Sequence, residues 1–102
     1  MDVVKLRDLA AHGRIEWSKH TLARLILRNI PHSAVRETII TGGIIEDYPQ
    51  DTPFPSCLVL AWVDGAPYHV VVSLDETTDT VFVITAYEPS LDQFQADFRT
   101  RR

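Results

Sequence analysis

The stretch CLVLAWVDGAPYHVVVSL, residues 57–74, constrains the fold more than any other part of the chain. Two apolar runs rich in β-branched residues flank Asp64-Gly65, a pair that supplies the positive φ angles of a two-residue hairpin turn. Such a turn sets the register, because side chains alternate between faces along a strand. Leu60 is placed opposite His69, and Leu58 opposite Val71. A third run, TVFVITAY, follows the polar turn DETTD, and a symmetric loop there puts His69 near Thr85. One face then carries Cys57, Val59, Ala61, Val70, Val72, Phe82, Ile84 and Ala86, all apolar and suited to receive helices. The other carries Leu58, Leu60, Trp62, His69, Val71, Ser73, Val83, Thr85 and Tyr87, a mixed surface that calls for a partner or a cleft.

Before Gly43 the apolar period is helical, and after it extended. Residues 3–12 suit a short helix ended by Gly13. RIEWS reads as a brief extended connection. Ser18 stands at an N-cap position, and the helix it opens runs to about Asn29. Pro31 opens a third helix, stopped by Gly42-Gly43. IIEDY is a candidate fourth strand. In SLDQFQADFR, Leu91, Phe94 and Phe98 have helical spacing. The expectation is one α+β domain over residues 1–102: helices in about 1–42, sheet in about 43–88, and a short C-terminal helix in about 90–99. The N-terminal helices pack on one face of a three- to four-stranded antiparallel sheet.

Hydrophobic residues make up 45% of the chain and charged residues 24%, an ordinary globular composition. No apolar run is long enough to span a membrane, and the opening MDVVKLRDLA lacks the apolar core of a secretory signal. Cys57 is the lone cysteine, which excludes an internal disulfide and paired-cysteine zinc motifs. Together these features imply a cytoplasmic setting. The net charge is −4, unevenly spread. Residues 1–37 hold seven Lys or Arg against four acids, residues 38–98 hold ten acids and no Lys or Arg, and the last four residues add three Arg. Either the two parts are complementary halves that attract each other weakly across solvent, or the helical part offers a basic surface usable for phosphate.

That surface has a pattern. In SKHTLARLILRN, residues 18–29, His20, Arg24 and Arg28 recur every four residues and line one helical stripe. Leu22, Ala23, Ile26, Leu27 and Ile30 form an adjacent apolar arc expected to enter the core. The expected core is Leu22, Ile26 and Val35 against Val59, Val70, Val72 and Ile84. The stripe has three readings. It is a solvated border whose Arg stems cover the core; or His20 is a structural histidine bonded to backbone near Glu46; or the stripe is a phosphate and acid/base site. Metal-independent RNA cleavage needs a base, an acid and a cation for the phosphorane charge. His20 and His69 can exchange protons, Arg24 and Arg28 can supply fixed charge, and Tyr87 can orient a phosphate or stack a base. The four histidines match no metal-ligand spacing, so neither metal nor cofactor is expected.

The segments IEWSKHTLARLILRNI, GGIIEDYP, PFPSCLVL, YHVVVSLD and VFVITAYEP occur in an order that resembles the bacterial domain-of-unknown-function family 4258. That family's helix carries a His and two Arg at four-residue intervals, matched by His20, Arg24 and Arg28. Its last strand is matched by Thr85, Tyr87 and Glu88. The resemblance implies a distant likeness to the RelE and MqsR type of messenger-RNA-cleaving toxins. It therefore implies a metal-independent RNA endonuclease in a toxin–antitoxin pair, with RNA as substrate and a small zinc-finger-like antitoxin as partner. The acidic net charge departs from the basic character of such toxins. The alternative is a non-catalytic interaction module that binds a protein through the mixed sheet face, including a second copy in a homodimer.

Overall fold

The computed structural model describes residues 1–102. Helix α1 (Val3–Ala11) begins where the Asp2 carboxylate accepts from the Lys5 amide, and α2 (Lys19–Leu27) where the Ser18 hydroxyl accepts from that of Thr21. Helix α3 (His32–Thr41) follows Pro31 and stops at Gly42. A Cβ at Gly42 would stand 2.6 Å from a Val59 methyl and 2.7 Å from the Leu60 carbonyl oxygen. Only glycine lets α3 run so closely into the sheet. The strands are β1 (Ile15–Trp17), β2 (Gly43–Tyr48), β3 (Ser56–Val63), β4 (Ala66–Asp75) and β5 (Thr80–Tyr87). Their order is β1-β5-β4-β3-β2, with β1 parallel to β5 and all other pairs antiparallel.

The α+β class holds, but the sheet has five strands and is mixed. RIEWS, read as a connection, contributes the fifth strand. It is three residues long, and its parallel partner lies over sixty residues away, so no local turn chemistry announces it.

The β3–β4 register is the one the Asp-Gly turn dictates, with Leu60 opposite His69 and Leu58 opposite Val71. The β4–β5 register is not symmetric. Asp75 pairs with Thr80, which shifts the near half of β5 by one residue and turns Val81 and Val83 toward the core. Val72 then faces Val83 while Val71 faces Thr85, so Ile84 is an extra, bulged residue. The bulge restores the expected parity, and Ala86 is a core residue. His69 lies opposite Tyr87, not near Thr85. Phe82 and Ile84, expected in the core, lie outside it.

Helices α1 and α3 cover the apolar face, and Leu6, Leu9, Val35 and Ile39 pack there with Val59, Val70 and Val72. Helix α2 does not lie on that face. It runs along the edge of β5, where Thr21 Oγ1 donates to the carbonyls of Val83 and Ile84, both at 3.3 Å. Arg28 donates to the Ala86 carbonyl at 2.9 Å. Strand β1 pairs with only residues 81–83 of β5, and these side chains serve the edge beyond it. An edge contact needs a narrow stripe, so α2 buries only Thr21 and Leu25. Of the expected apolar arc only Ile30, just past the helix, is buried. Ala23 is exposed, Leu22 is partly covered, and Ile26 and Leu27 are 76% and 83% exposed.

The expected C-terminal helix is absent. Residues 88–102 form turns closed by a bridge between Phe94 and Arg101, laid across the mixed sheet face. The Asp97 carboxylate accepts from the amides of Arg99 and Thr100, at 2.9 Å each, and so turns the chain back. Phe94 is buried by this turn, whereas Leu91 remains exposed. Cys57 is buried, and burial pushes its thiol up to about 11, so it is an inert core residue.

Neighbouring residues on α2 give a direct check of this placement. Leu25, 1% exposed, should cost about 2–5 kcal/mol on change to Ala, whereas Ile26→Ala should stay within about 0.5 kcal/mol. Chemical denaturation of the two variants measures both.

Candidate functional site

The row that α2 presents is exposed along its length. Arg24 Nε donates to His20 Nε2 at 2.9 Å, so this imidazole nitrogen carries its lone pair toward the guanidinium. Arg28, at the C-cap, reaches across β5 and donates to Thr85 Oγ1 at 3.3 Å as well as to the Ala86 carbonyl. At about 1.5 Å rise per residue the row spans roughly 12 Å from His20 to Arg28. Neither Arg24 nor Arg28 is in an ion pair, although the chain carries 14 acids to 10 Lys and Arg. Arg14 and Arg36, by contrast, are taken up by backbone carbonyls elsewhere. His20 makes no contact with Glu46, which is committed to the C-terminal segment.

His69 sits elsewhere and in a different state. It is 0% exposed, on the mixed face beneath residues 88–102. Its Nε2 bonds the Phe98 carbonyl at 2.6 Å, and its Nδ1 lies 3.3 Å from the Tyr87 hydroxyl. A carbonyl only accepts, so Nε2 carries the proton and Nδ1 accepts from Tyr87. The ring of Phe94 stands edge-on at 4.6 Å. Burial holds the His69 imidazolium form below its usual range, against the opposing pull of the Phe98 carbonyl. Burial likewise raises the Tyr87 phenol. Both shifts keep the pair as neutral hydroxyl and neutral imidazole.

The lid over this pair has its own lock. Arg101 makes a two-pronged contact with Glu46, at 2.6 and 3.0 Å, while its guanidinium lies 4.8 Å from the Phe94 ring centroid. Tyr48 donates a short hydrogen bond to the same carboxylate. The Arg101 contact is the main reason Glu46 is held below the ordinary carboxylate range.

The five residues singled out in the sequence therefore divide. His20, Arg24 and Arg28 form a surface row. Tyr87 stands at its far end, close enough for Arg28 to influence its ionisation, and lines a cleft of about 250 Å³ with Glu88, Ser90, Gln93 and Phe94. His69 is behind Tyr87, sealed from solvent with both nitrogens engaged. The expected proton exchange between His20 and His69 has no path in this arrangement. Reasoning from sequence missed Glu46, Arg101, Phe94 and Phe98, because what joins them is a tail folded back over the sheet. It also missed the role of Thr21, whose hydroxyl follows Ser18, Lys19 and His20 and so gave no distinct signal.

The family model described as "Domain of unknown function (DUF4258)" matches residues 17–88, about seven-tenths of the chain. The chain belongs to this family. No curated protein matches it. The DUF4258 span contains α2, α3, β2 to β5 and all five candidate residues. It ends at Glu88, so the segment that seals His69 lies outside the part shared with the family. No helix is long and apolar enough to cross a membrane.

A buried neutral histidine has a consequence for stability. The unfolded chain binds a proton at His69 near the ordinary value of about 6.5, and the folded chain does so only at lower pH. Its contribution is therefore intact above that value and is lost as pH falls below it. Thermal unfolding from pH 7.5 to 5 should show a slope of up to about 1.4 kcal/mol per pH unit that His69→Gln lacks.

Proposed function

We propose that this protein is a metal-independent RNA endonuclease of the toxin type, with its site along α2 and the adjoining end of β5. The observation that carries the reading is the exposed row of His20, Arg24 and Arg28, free of ion pairs, which ends at Thr85 and Tyr87. In an acidic protein this is where a phosphodiester meets two cations without a competing carboxylate partner. Arg24 binds the scissile phosphate and in doing so releases His20 Nε2, which takes the proton of the 2′-hydroxyl as that oxygen bonds to phosphorus; the P–O5′ bond breaks, leaving a 2′,3′-cyclic phosphate, and the departing 5′-oxygen takes its proton from the water that bathes this exposed row. Arg28 stabilises the charge that develops on the phosphorus oxygens. Tyr87 and its cleft receive a neighbouring base. His69 acts only through Tyr87, as a positioning residue that fixes the direction of its hydroxyl.

Cleavage of a mixed RNA pool by the purified chain tests this. EDTA should leave the rate unchanged. His20→Ala should lower it about 10²–10⁴-fold and Arg24→Ala about 10²–10³-fold, with both variants folded. Binding should fall gently with salt, with a log–log slope near −1.4 for two phosphate contacts on a single strand. Intact RNA after prolonged incubation, together with harmless expression in cells, ends the reading.

A second reading rests on a separate observation. Ile26 and Leu27 are apolar and open to solvent beside the same row, with Ile84 also exposed nearby on β5. An interaction module would use this patch of α2, because the mixed sheet face first considered for it is largely occupied by residues 88–102 and by Phe54, which stacks on Phe82 at 5.6 Å. The partner would be a small antitoxin-like protein or a second copy. Growth inhibition that disappears in Ile26→Asp but survives in His20→Ala favours this module over the enzyme.

A further inference from the structure

Residues 89–102 lie on the sheet without belonging to it. Every backbone hydrogen bond in this segment closes within it. The amides of Gln93 and Phe94 donate to the Ser90 carbonyl, Gln95 to Thr100, Phe98 to Gln95 and Arg102 to Gln93. The attachment to the sheet is made by side-chain contacts. The Phe94 ring is buried, the Trp62 and Phe98 ring centroids stand 5.7 Å apart, Arg101 grips Glu46, and His69 Nε2 donates to the Phe98 carbonyl. The Arg101 and Glu46 side chains are 52% and 22% exposed, so water competes for their contact. Lifting the segment breaks no bond of the sheet ladder, and it frees Phe98 from its left-handed φ of 53°.

We propose that residues 89–102 are an acid-released strap: protonation of His69 lifts them from the sheet while the five strands stay folded. The strap covers this fully buried imidazole with the edge of the Phe94 ring and the Phe98 carbonyl. Few charged or titratable groups face it. Strand β5 offers the Tyr87 hydroxyl, β2 the Glu46 carboxylate and the strap Arg101, while Leu60, opposite on β3, is apolar. Glu46 favours the imidazolium and Arg101 opposes it, and these two are bonded to each other. Burial is the largest influence, and it disfavours the charged ring. An imidazolium needs water, and the strap is the part that can move to admit it at least cost. His69 thus binds a proton near the ordinary value of about 6.5 when uncovered, and only at lower pH beneath the strap. Opening is therefore favoured as pH falls below that value, by up to about tenfold per unit. Glu46 is held below the ordinary carboxylate range, so the Arg101 contact persists while His69 titrates. Opening bares His69 and takes Gln93 and Phe94 away from the cleft beside Tyr87.

Amide hydrogen exchange of the full chain from pH 7.5 to 5, corrected for the intrinsic rate at each pH, tests the proposal. The Gln95 and Arg102 amides should open at least about tenfold more often than those of central β4 at every pH. Their opening should rise up to about tenfold for each unit below pH 6.5, and this rise should be absent in His69→Gln. Arg101→Gln, made at an exposed side chain, should raise strap opening at pH 7.5 about 3–10-fold and leave the β4 amides protected. In the unaltered chain the His69 ring-proton signals should titrate over the same pH range in which the strap opens. The proposal is overturned if strap and β4 amides open together at every pH, or if strap opening does not change with pH. It is overturned equally if the rise persists in His69→Gln, or if His69 titrates while the strap stays protected. No cleavage is read, so this proposal and the ribonuclease reading can fail separately.

Discussion

Much of this structure depends on one extra residue in β5. A five-stranded sheet with one apolar face needs every strand to keep the same parity, and the offset at the Asp75–Thr80 turn breaks it. The bulge at Ile84 restores it for the last residues of the strand. It thereby lets Val81, Val83 and Ala86 all join the core, although no single alternation connects them. The carbonyls of Val83 and Ile84, at the bulge, are the ones that accept from Thr21. The same irregularity that repairs the core thus provides the seat for α2. The row His20, Arg24 and Arg28 takes its position from that seat, and so does its contact with Thr85.

The mixed face is managed differently. Its polar groups are not left to water. Residues 88–102 cover its far end, and the loop carrying Phe54 folds over Phe82 at the other. A histidine in the middle of an apolar sheet is costly unless both ring nitrogens are served. Tyr87 and the Phe98 carbonyl serve them, and Phe94 closes the remaining side. The backbone of Phe98 takes a left-handed φ of 53° in this turn, an uncommon state for a bulky residue. The contacts of its carbonyl with His69 and of Arg101 with Glu46 are what hold it there. The segment that does this lies beyond the DUF4258 span, so the shared part of the fold ends with Tyr87 and Glu88 at its boundary.

What was legible in the sequence is what local chemistry determines. Asp64-Gly65 gave the β3–β4 register because turn type and register are one constraint. Ser18 and Gly42 marked helix ends because capping and close approach act within a few residues. The rest depends on distant partners. Three residues of β1 become a strand only because β5 lies beside them. Leu91, Phe94 and Phe98 carry a helical period, yet Asp97 and the sheet surface pull the chain into turns. On α2 the hydrophobic arc pointed the wrong way. Ile26 and Leu27 match a core pattern, but an edge-docked helix is buried by the stripe of Thr21 and Leu25. Of the five candidate residues, the three on α2 were readable as a set by their spacing, whereas the expected register set His69 beside Thr85, and only the offset turn and the bulge bring it opposite Tyr87. That these are two groups with different solvent access follows from the tail, which no periodicity reveals.

The separation of charge acquires a structural sense from this arrangement. The acids of residues 38–98 are mostly in the sheet and its turns, and several are spent on the fold itself: Glu46 on Arg101, Asp79 on Lys5, Asp75 and Asp97 on neighbouring hydroxyls and amides. Among the basic residues of the helical part, Arg7, Arg14 and Arg36 are likewise consumed by backbone carbonyls. Arg24 is spent on nothing but His20, and Arg28 keeps part of its guanidinium free after bonding β5. An anion approaching a protein of net charge −4 is repelled at a distance, and within a Debye length it responds to local groups. On the proposed reading, the α2 row would be a short-range site whose affinity comes from two guanidinium groups and not from a long-range field. A substrate bound in that way would be chosen by how it fits along roughly 12 Å of helix, which would favour a defined stretch of single strand over any polyanion.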